Sequence, residues 1–180
     1  MKKVQLADYG VPEDVARCVE TDDVGEPIVF RTIPTAGGGL LVIDETYNAN
    51  PESMRAAIAL GADLARAEGG RLVAVLGDML ELGDHAERLH RELTAPLVDA
   101  GVAVVYTAGP AMMHLHDGLD PDRRGGHAGT SEDLAPAVVR GVAPGDVVLV
   151  KGSRGMRMER VIAALKAAGA RPADTDTDKG

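Results

Sequence analysis

Leu40-Leu41-Val42-Ile43-Asp44 and Leu72-Val73-Ala74-Val75-Leu76 are two short β-rich runs, and the residues between them carry a helical pattern. Met54, Ala57, Ile58, Gly61, Leu64 and Ala65 fall on one face of residues 52–68, and Gly69-Gly70 closes that helix. Two strands that are apolar throughout, joined by a helix, are the unit of a parallel sheet covered on both faces. A half-solvated strand would alternate instead.

The unit repeats outward. A helix expected over residues 84–100, with Leu89, Leu93, Leu97 and Ala100 as its stripe, leads to a third run over 102–106. A short helix near 111–115 and a fourth strand around His127-Ala128 come next. Ser131, with Asp133 behind it, should then open a helix to about Gly141, its oxygen accepting orphan N–H groups of the first turn. Val147-Val148-Leu149-Val150 is the fifth run, and residues 156–168 form the last helix, stopped by Gly169. Upstream, Ile28, Phe30 and Ile33 with Arg31 between them suggest an edge strand over 28–33. It would pair antiparallel with 40–44 through a turn at 34–39. The expectation is a doubly wound α/β domain over residues 28–170, its sheet mostly parallel with one antiparallel edge strand. Residues 1–27 read as a helical stub (12–19) or the remnant of a preceding domain, and the Asp-rich residues 171–180 as a disordered tail.

Length and composition agree with one domain: 180 residues, 45% hydrophobic and 26% charged. Aromatics are only 2% and the formal net charge is -9. Scarce aromatics weaken any base-stacking role, and the acidic balance argues against nucleic acid or an anionic membrane surface as partner. The single cysteine, Cys18, excludes a disulfide scaffold and fits a reducing compartment. No apolar run reaches the roughly 18 residues of a membrane span. The expected location is the cytoplasm, with no membrane insertion.

Ligands of open α/β sheets bind at the carboxyl ends of the strands, and three such segments are chemically loaded. Asp44-Glu45-Thr46-Tyr47-Asn48-Ala49-Asn50-Pro51 places acids, a phenol and two amides before a helix start, which suits phosphate or carboxylate. The same residues would also serve as a cap and turn. Gly77-Asp78-Met79-Leu80-Glu81-Leu82-Gly83 sets two acids between glycines, able to meet an ammonium group or Mg2+, or simply to form a solvated turn. Residues 151–160 carry Lys151, Arg154, Arg157 and Arg160 against one acid, Glu159, a net +3 within an acidic chain. Lys151, Ser153 and Arg154 suit an anion site, whereas Arg157 and Arg160 read as a solvated basic face.

Several classes are absent from the pattern. No Gly-x-Gly-x-x-Gly follows the first strand, which counts against a dinucleotide oxidoreductase. No Gly-x-x-x-x-Gly-Lys-Ser/Thr loop is present to cradle a triphosphate. The third run ends in Tyr106-Thr107-Ala108-Gly109, with no acceptor aspartate for a phosphorelay receiver. The five histidines lack zinc-hydrolase spacing, so no metal ligands are assigned.

The stretches Asp44 to Met54, Val75 to Gly83 and Leu149 to Arg154 resemble the Mur ligases, in order and with family-like spacing from about residue 28 to 168. Within the family they are most similar to the branch that adds D-alanyl-D-alanine to UDP-N-acetylmuramoyl-tripeptide. The aspartate pair usual at the first strand end is here Asp44-Glu45, which keeps the charge. The resemblance implies a Rossmann-like third domain that closes over a central ATP-binding domain. It implies a reaction in which ATP, with Mg2+, activates the tripeptide carboxylate as an acyl phosphate that the dipeptide amine attacks, in peptidoglycan precursor synthesis. It also implies that Asp44, Tyr47, Asn48, Asn50 and Pro51 face the nucleotide, and that Asp78, Met79, Glu81, Lys151, Ser153 and Arg154 face the dipeptide. ATP and Mg2+ would be held mainly by the preceding ligase domains, and the chain alone would be inactive without their glycine-rich loop. The alternative is a free-standing binding or interaction module derived from that domain.

Overall fold

A computed structural model describes residues 19–21 and 27–169. Seven strands form one sheet: β1 (Val19–Thr21), β2 (Pro27–Thr35), β3 (Gly38–Glu45), β4 (Leu72–Gly77), β5 (Val104–Ala108), β6 (Arg124–Ala128) and β7 (Val147–Lys151). Their order across the sheet is β1-β2-β3-β7-β4-β5-β6. Strands β3, β7, β4, β5 and β6 run parallel, and β1·β2 and β2·β3 are antiparallel. The last of these strands in sequence thus lies in the middle of the sheet.

Helix α1 (Pro51–Glu68) begins where its chemistry requires. Asn50 caps it, accepting from Ser53 N at 2.8 Å while its own N–H donates to Ser53 Oγ at 3.1 Å. Pro51 needs no hydrogen-bond acceptor at that position. Gly69 ends the helix with φ 69°, a left-handed conformation that a side chain would disfavour. The remaining helices are α2 (Ala86–Arg91), α3 (Thr94–Asp99), α4 (Met112–Gly118), α5 (Ser131–Gly141) and α6 (Glu159–Gly169).

Two apolar layers sandwich the sheet, and successive residues of the central strands alternate between them. Leu72, Ala74 and Leu76 of β4 and Val147 and Leu149 of β7 pack with Met54 and Ile58 of α1, Leu97 of α3 and Met112 and Leu115 of α4. Val73, Val75, Val148 and Val150 pack with Leu134 and Val138 of α5 and Val161 and Leu165 of α6. Each fully buried Leu or Val contributes about 1.5–3 kcal/mol, so a core almost without aromatics still suffices. At the amino ends of the central strands, Arg71 forks onto Asp146 through Nε–Oδ1 at 2.7 Å and Nη2–Oδ2 at 3.0 Å. The hydrogen-bonded Asp146 carboxylate raises the Arg71 pKa further.

Four expectations need correction. Strand β2 is not the sheet edge, because β1 pairs outside it, Val29 opposite Val19. This also makes Val19 extended rather than the end of a helical stub; residues 12–18 of that stub and the 171–180 tail lie outside the described residues. The helix expected over 84–100 is broken: a 3-10 turn (Gly83–His85) leads into α2, and α3 is separate. Pro96 cannot donate to the carbonyl four residues back and is accommodated at least cost in a helix's first turn, which is where α3 places it. Helix α5 is capped by Thr130, whose Oγ1 accepts from Asp133 N at 3.1 Å, and the Ser131 hydroxyl instead donates to Arg157 O at 2.9 Å. Finally, Arg157 adopts φ 51°, which a helix cannot contain, so α6 starts only at Glu159 after a 3-10 turn over Arg154–Met156.

Candidate functional site

The parallel register brings the loaded segments to one end of the sheet. Glu45 is the register partner of Lys151, Lys151 of Leu76, and Gly77 of Ala108. The loops that leave these strands are therefore neighbours.

The loop after β7 is the centre of a set of bonds between them. Lys151 Nζ donates to Glu45 Oε2 at 2.6 Å and to Asn48 O at 2.9 Å. Ser153 Oγ accepts from Leu80 N at 2.9 Å and lies 3.5 Å from Ala49 O, while Ser153 N donates to Asp78 O at 3.1 Å. Asp78 carries the connection to a fourth strand end. Its carboxylate accepts from Ala111 N at 3.1 Å and Met112 N at 2.7 Å, the first donors of α4. A buried carboxylate at a helix start is satisfied both by the N–H groups and by the positive end of the dipole.

A histidine absent from the sequence expectations holds the β4 loop from beneath. His90 is fully buried, and its Nε2 accepts from Met79 N at 2.9 Å. Nδ1 therefore carries the proton and donates to Ala86 O at 2.7 Å. The bond lets Met79 turn its side chain into the core while Leu80 and Glu81 emerge. Glu81 sits at φ 66°, one of two non-glycine residues with positive φ among the described residues.

At the β5–β6 side of the same end, Thr107 Oγ1 and His127 Nδ1 are 2.9 Å apart, and the His127 ring lies 5.6 Å from that of His116. Burial lowers both imidazole pKa values. His127 and Arg124 further disfavour charge on His116, against a smaller opposing effect of Asp117, and Asp78 and Asp117 partly offset burial at His127.

What faces outward is a different set. Tyr47 is 58% exposed, Arg154 lies over its ring at 5.1 Å, and Arg154 Nη1 is 3.3 Å from the Tyr47 hydroxyl. Asn48, Leu80 and Glu81 are exposed beside them. The face combines an aromatic ring, an amide, a carboxylate and a guanidinium, groups that can hold a nucleoside and a small zwitterion. Among the described residues, no group of three His, Cys, Asp or Glu is placed to hold a metal ion.

The family model described as Mur ligase, glutamate ligase domain, matches residues 30–154, which contain all three loops. The chain belongs to the Mur ligase family. Over 132 residues it is 39% identical to the UDP-N-acetylmuramoyl-tripeptide–D-alanyl-D-alanine ligase of Bacillus subtilis, a match covering 71% of this chain and 28% of that protein. Against the same-named ligase of Mycobacterium tuberculosis H37Rv it is 36% identical over 154 residues, covering 75% of this chain and 30% of the relative. The MurF ligase of Thermotoga maritima, solved in complex with ADP, superimposes with a TM-score of 0.61 at 29% identity over 77% of this chain and 30% of that one. The MurF of Acinetobacter baumannii gives 0.62 at 30% identity, over 76% and 30%. The chain spans less than a third of the length of each.

Within this Mur ligase domain the eleven singled-out residues fall into three groups. Tyr47, Asn48, Glu81 and Arg154 are exposed. Asp44 accepts from Arg31 Nε and Thr46 Oγ1, both at 2.9 Å, and Asn50 and Pro51 start α1. Asp78, Met79, Lys151 and Ser153 are buried, their polar groups spent on neighbouring loops. Residue type and strand-end placement singled out these loops, but only strand order reveals that Glu45, 106 positions away in the chain, takes the Lys151 charge.

Proposed function

We propose that this domain is the closing domain of an ATP-dependent ligase that joins D-alanyl-D-alanine to UDP-N-acetylmuramoyl-tripeptide in peptidoglycan precursor synthesis. The observation that carries the reading is the joining of the three family loops at one end of the sheet, in a chain 39% identical to a ligase of that name. The similarity gives no support to a free-standing binding module.

In the proposed reaction the γ-phosphoryl of ATP passes to the tripeptide carboxylate, releasing ADP. The dipeptide amine then attacks the acyl carbon, and phosphate leaves. Tyr47 and Asn48 offer an aromatic face and an amide to the adenosine end of ATP, on a loop held by Asp44, Asn50 and Pro51. Arg154 meets the dipeptide carboxylate and Glu81 its ammonium group, while Asp78, Met79 and Ser153 place the backbone of those loops. Lys151 belongs to the same segment. Mg2+ supplies charge neutralisation at the phosphates, which preceding ligase domains hold together with most of the ATP. The chain's own contribution is to orient the amine and exclude water, in the cytoplasm where both nucleotides are available. No helix among the described residues is long and apolar enough to cross a membrane.

Calorimetric titration of the longer ligase with D-alanyl-D-alanine, with ATP present, tests the assignment. Arg154→Ala should weaken binding on the order of tenfold, the loss expected for one charge-assisted hydrogen bond. Unchanged affinity would remove Arg154, and with it this reading of the loop after β7.

A further inference from the structure

Lys151 stands in the most cationic segment of the chain and at the end of a central strand, yet it is only 3% exposed. A lysine that captures an anion must keep its charge available rather than spend it on a carboxylate of its own chain. Here the ammonium is cancelled by Glu45 at 2.6 Å and has a second acceptor in Asn48 O at 2.9 Å. The pairing follows from the fold, since register partners on adjacent strands direct their side chains to the same face. Arg154, three residues on, is exposed and carries the outward charge.

We propose that Lys151 is a positioning residue that locks the nucleotide-facing loop to the dipeptide-facing loop and touches neither substrate. It acts through the carbonyl of Asn48, the peptide between the exposed residues Tyr47 and Asn48 and the capping residue Asn50. Ser153 adds the second fastening, with its backbone N–H on Asp78 O and its hydroxyl at Leu80 N and Ala49 O. Movement of one loop is therefore transmitted to the other, and the two substrates are placed relative to one another before either binds. The proposal rests on the reading of the loops given above for its substrate roles, and on geometry alone for the locking.

Two measurements separate these. In this chain, amide hydrogen exchange by NMR should show faster exchange at Ala49 and Leu80 in Lys151→Met than in the parent, with Lys151→Arg closer to the parent. The double variant Lys151→Met with Glu45→Leu leaves no unpaired buried charge and should fold while showing the same faster exchange. Unchanged exchange in the double variant overturns the locking. In the longer ligase, the double variant should raise KM for ATP and for D-alanyl-D-alanine together, each by about tenfold, because misplacement of one loop displaces the other. A rise confined to D-alanyl-D-alanine would make Lys151 a ligand contact and overturn the proposal. If the parent ligase shows no turnover dependent on D-alanyl-D-alanine, the functional reading fails, and the exchange result still decides the locking.

Discussion

Asp78 occupies the space that Gly109 leaves open: a Cβ on Gly109 would fall 2.4 Å from Asp78 Cγ. Gly109 also holds φ at 108°, which a side chain disfavours. The two residues form a matched pair, one supplying the carboxylate that caps α4 and the other the room for it. Gly109→Ala should therefore behave like a loss of Asp78. Asp78→Ala leaves the buried Met112 N–H without its acceptor, at about 1–3 kcal/mol, and the part-buried Ala111 N–H as well. Urea unfolding should show a lower midpoint in both variants, and the double variant should lose less than the sum of the two. Full additivity would show that Gly109 acts for some other reason.

His90 supports the loop after β4 through one backbone bond. His90→Leu keeps the volume roughly constant but strands the Met79 N–H, and should destabilise the domain by about 1–3 kcal/mol. The m-value should stay that of the parent, which chemical unfolding followed by circular dichroism can check. A stability equal to the parent's would mean the loop finds another acceptor.

The His116–His127 pair gives stability a pH dependence of definite sign. Both pKa values are lowered in the folded protein by burial, so the folded state binds fewer protons than an unfolded chain titrating near ~6.5. Above that pH both states are neutral and the pair is silent. As pH falls below ~6.5 toward the folded values, the unfolded state takes up protons first and stability declines. His116→Phe removes one titrating ring and the buried Nδ1 that has no hydrogen-bond partner. The fall in urea midpoint between pH 7.5 and 5.5 should be smaller in that variant than in the parent. An equal fall would place the pH dependence elsewhere.

Glu81 holds a left-handed backbone that glycine would adopt more readily, φ 66°. Strain of this kind costs on the order of 1 kcal/mol and collects at binding loops. Glu81→Gly should leave the melting temperature equal or slightly higher, while KM for D-alanyl-D-alanine rises in the longer ligase. A melting temperature several degrees lower would mean that the carboxylate, rather than ligand binding, holds the turn.

How much of this was readable in advance depends on the range of the interaction. The apolar runs at 40–43, 72–76 and 147–150 identified the central strands, because burial on both faces leaves no alternation to misread. Residue type singled out the loops after them as the candidate site, and the parallel register brings those loops together. Local chemistry was missed where two signals competed: Thr130 and Ser131 are both capping residues, and only the fold shows Ser131 committed to Arg157. Pro96 did signal the break between α2 and α3, but the leucine stripe spoke more loudly for one helix. Long-range partners were out of reach. That Lys151 is a fastening follows from strand order, which periodicity cannot supply, and that Arg154 faces outward over Tyr47 follows from the fold.

That order also decides when the domain can come into being. Strands β3 and β4 never touch; each binds β7, which leaves a ribosome last of the seven. Until residue 151 has emerged, β3 with its hairpin partners and β4 with β5 and β6 are two half-sheets, each showing a bare central edge of unpaired backbone. The insertion of β7 closes both edges in a single step, and the same residue that ends the strand fastens the loops above it. A nascent chain interrupted before Val147 is thus two sticky fragments, exposed to chaperones and aggregation, while a few more residues complete a sheet and the candidate site at its end together.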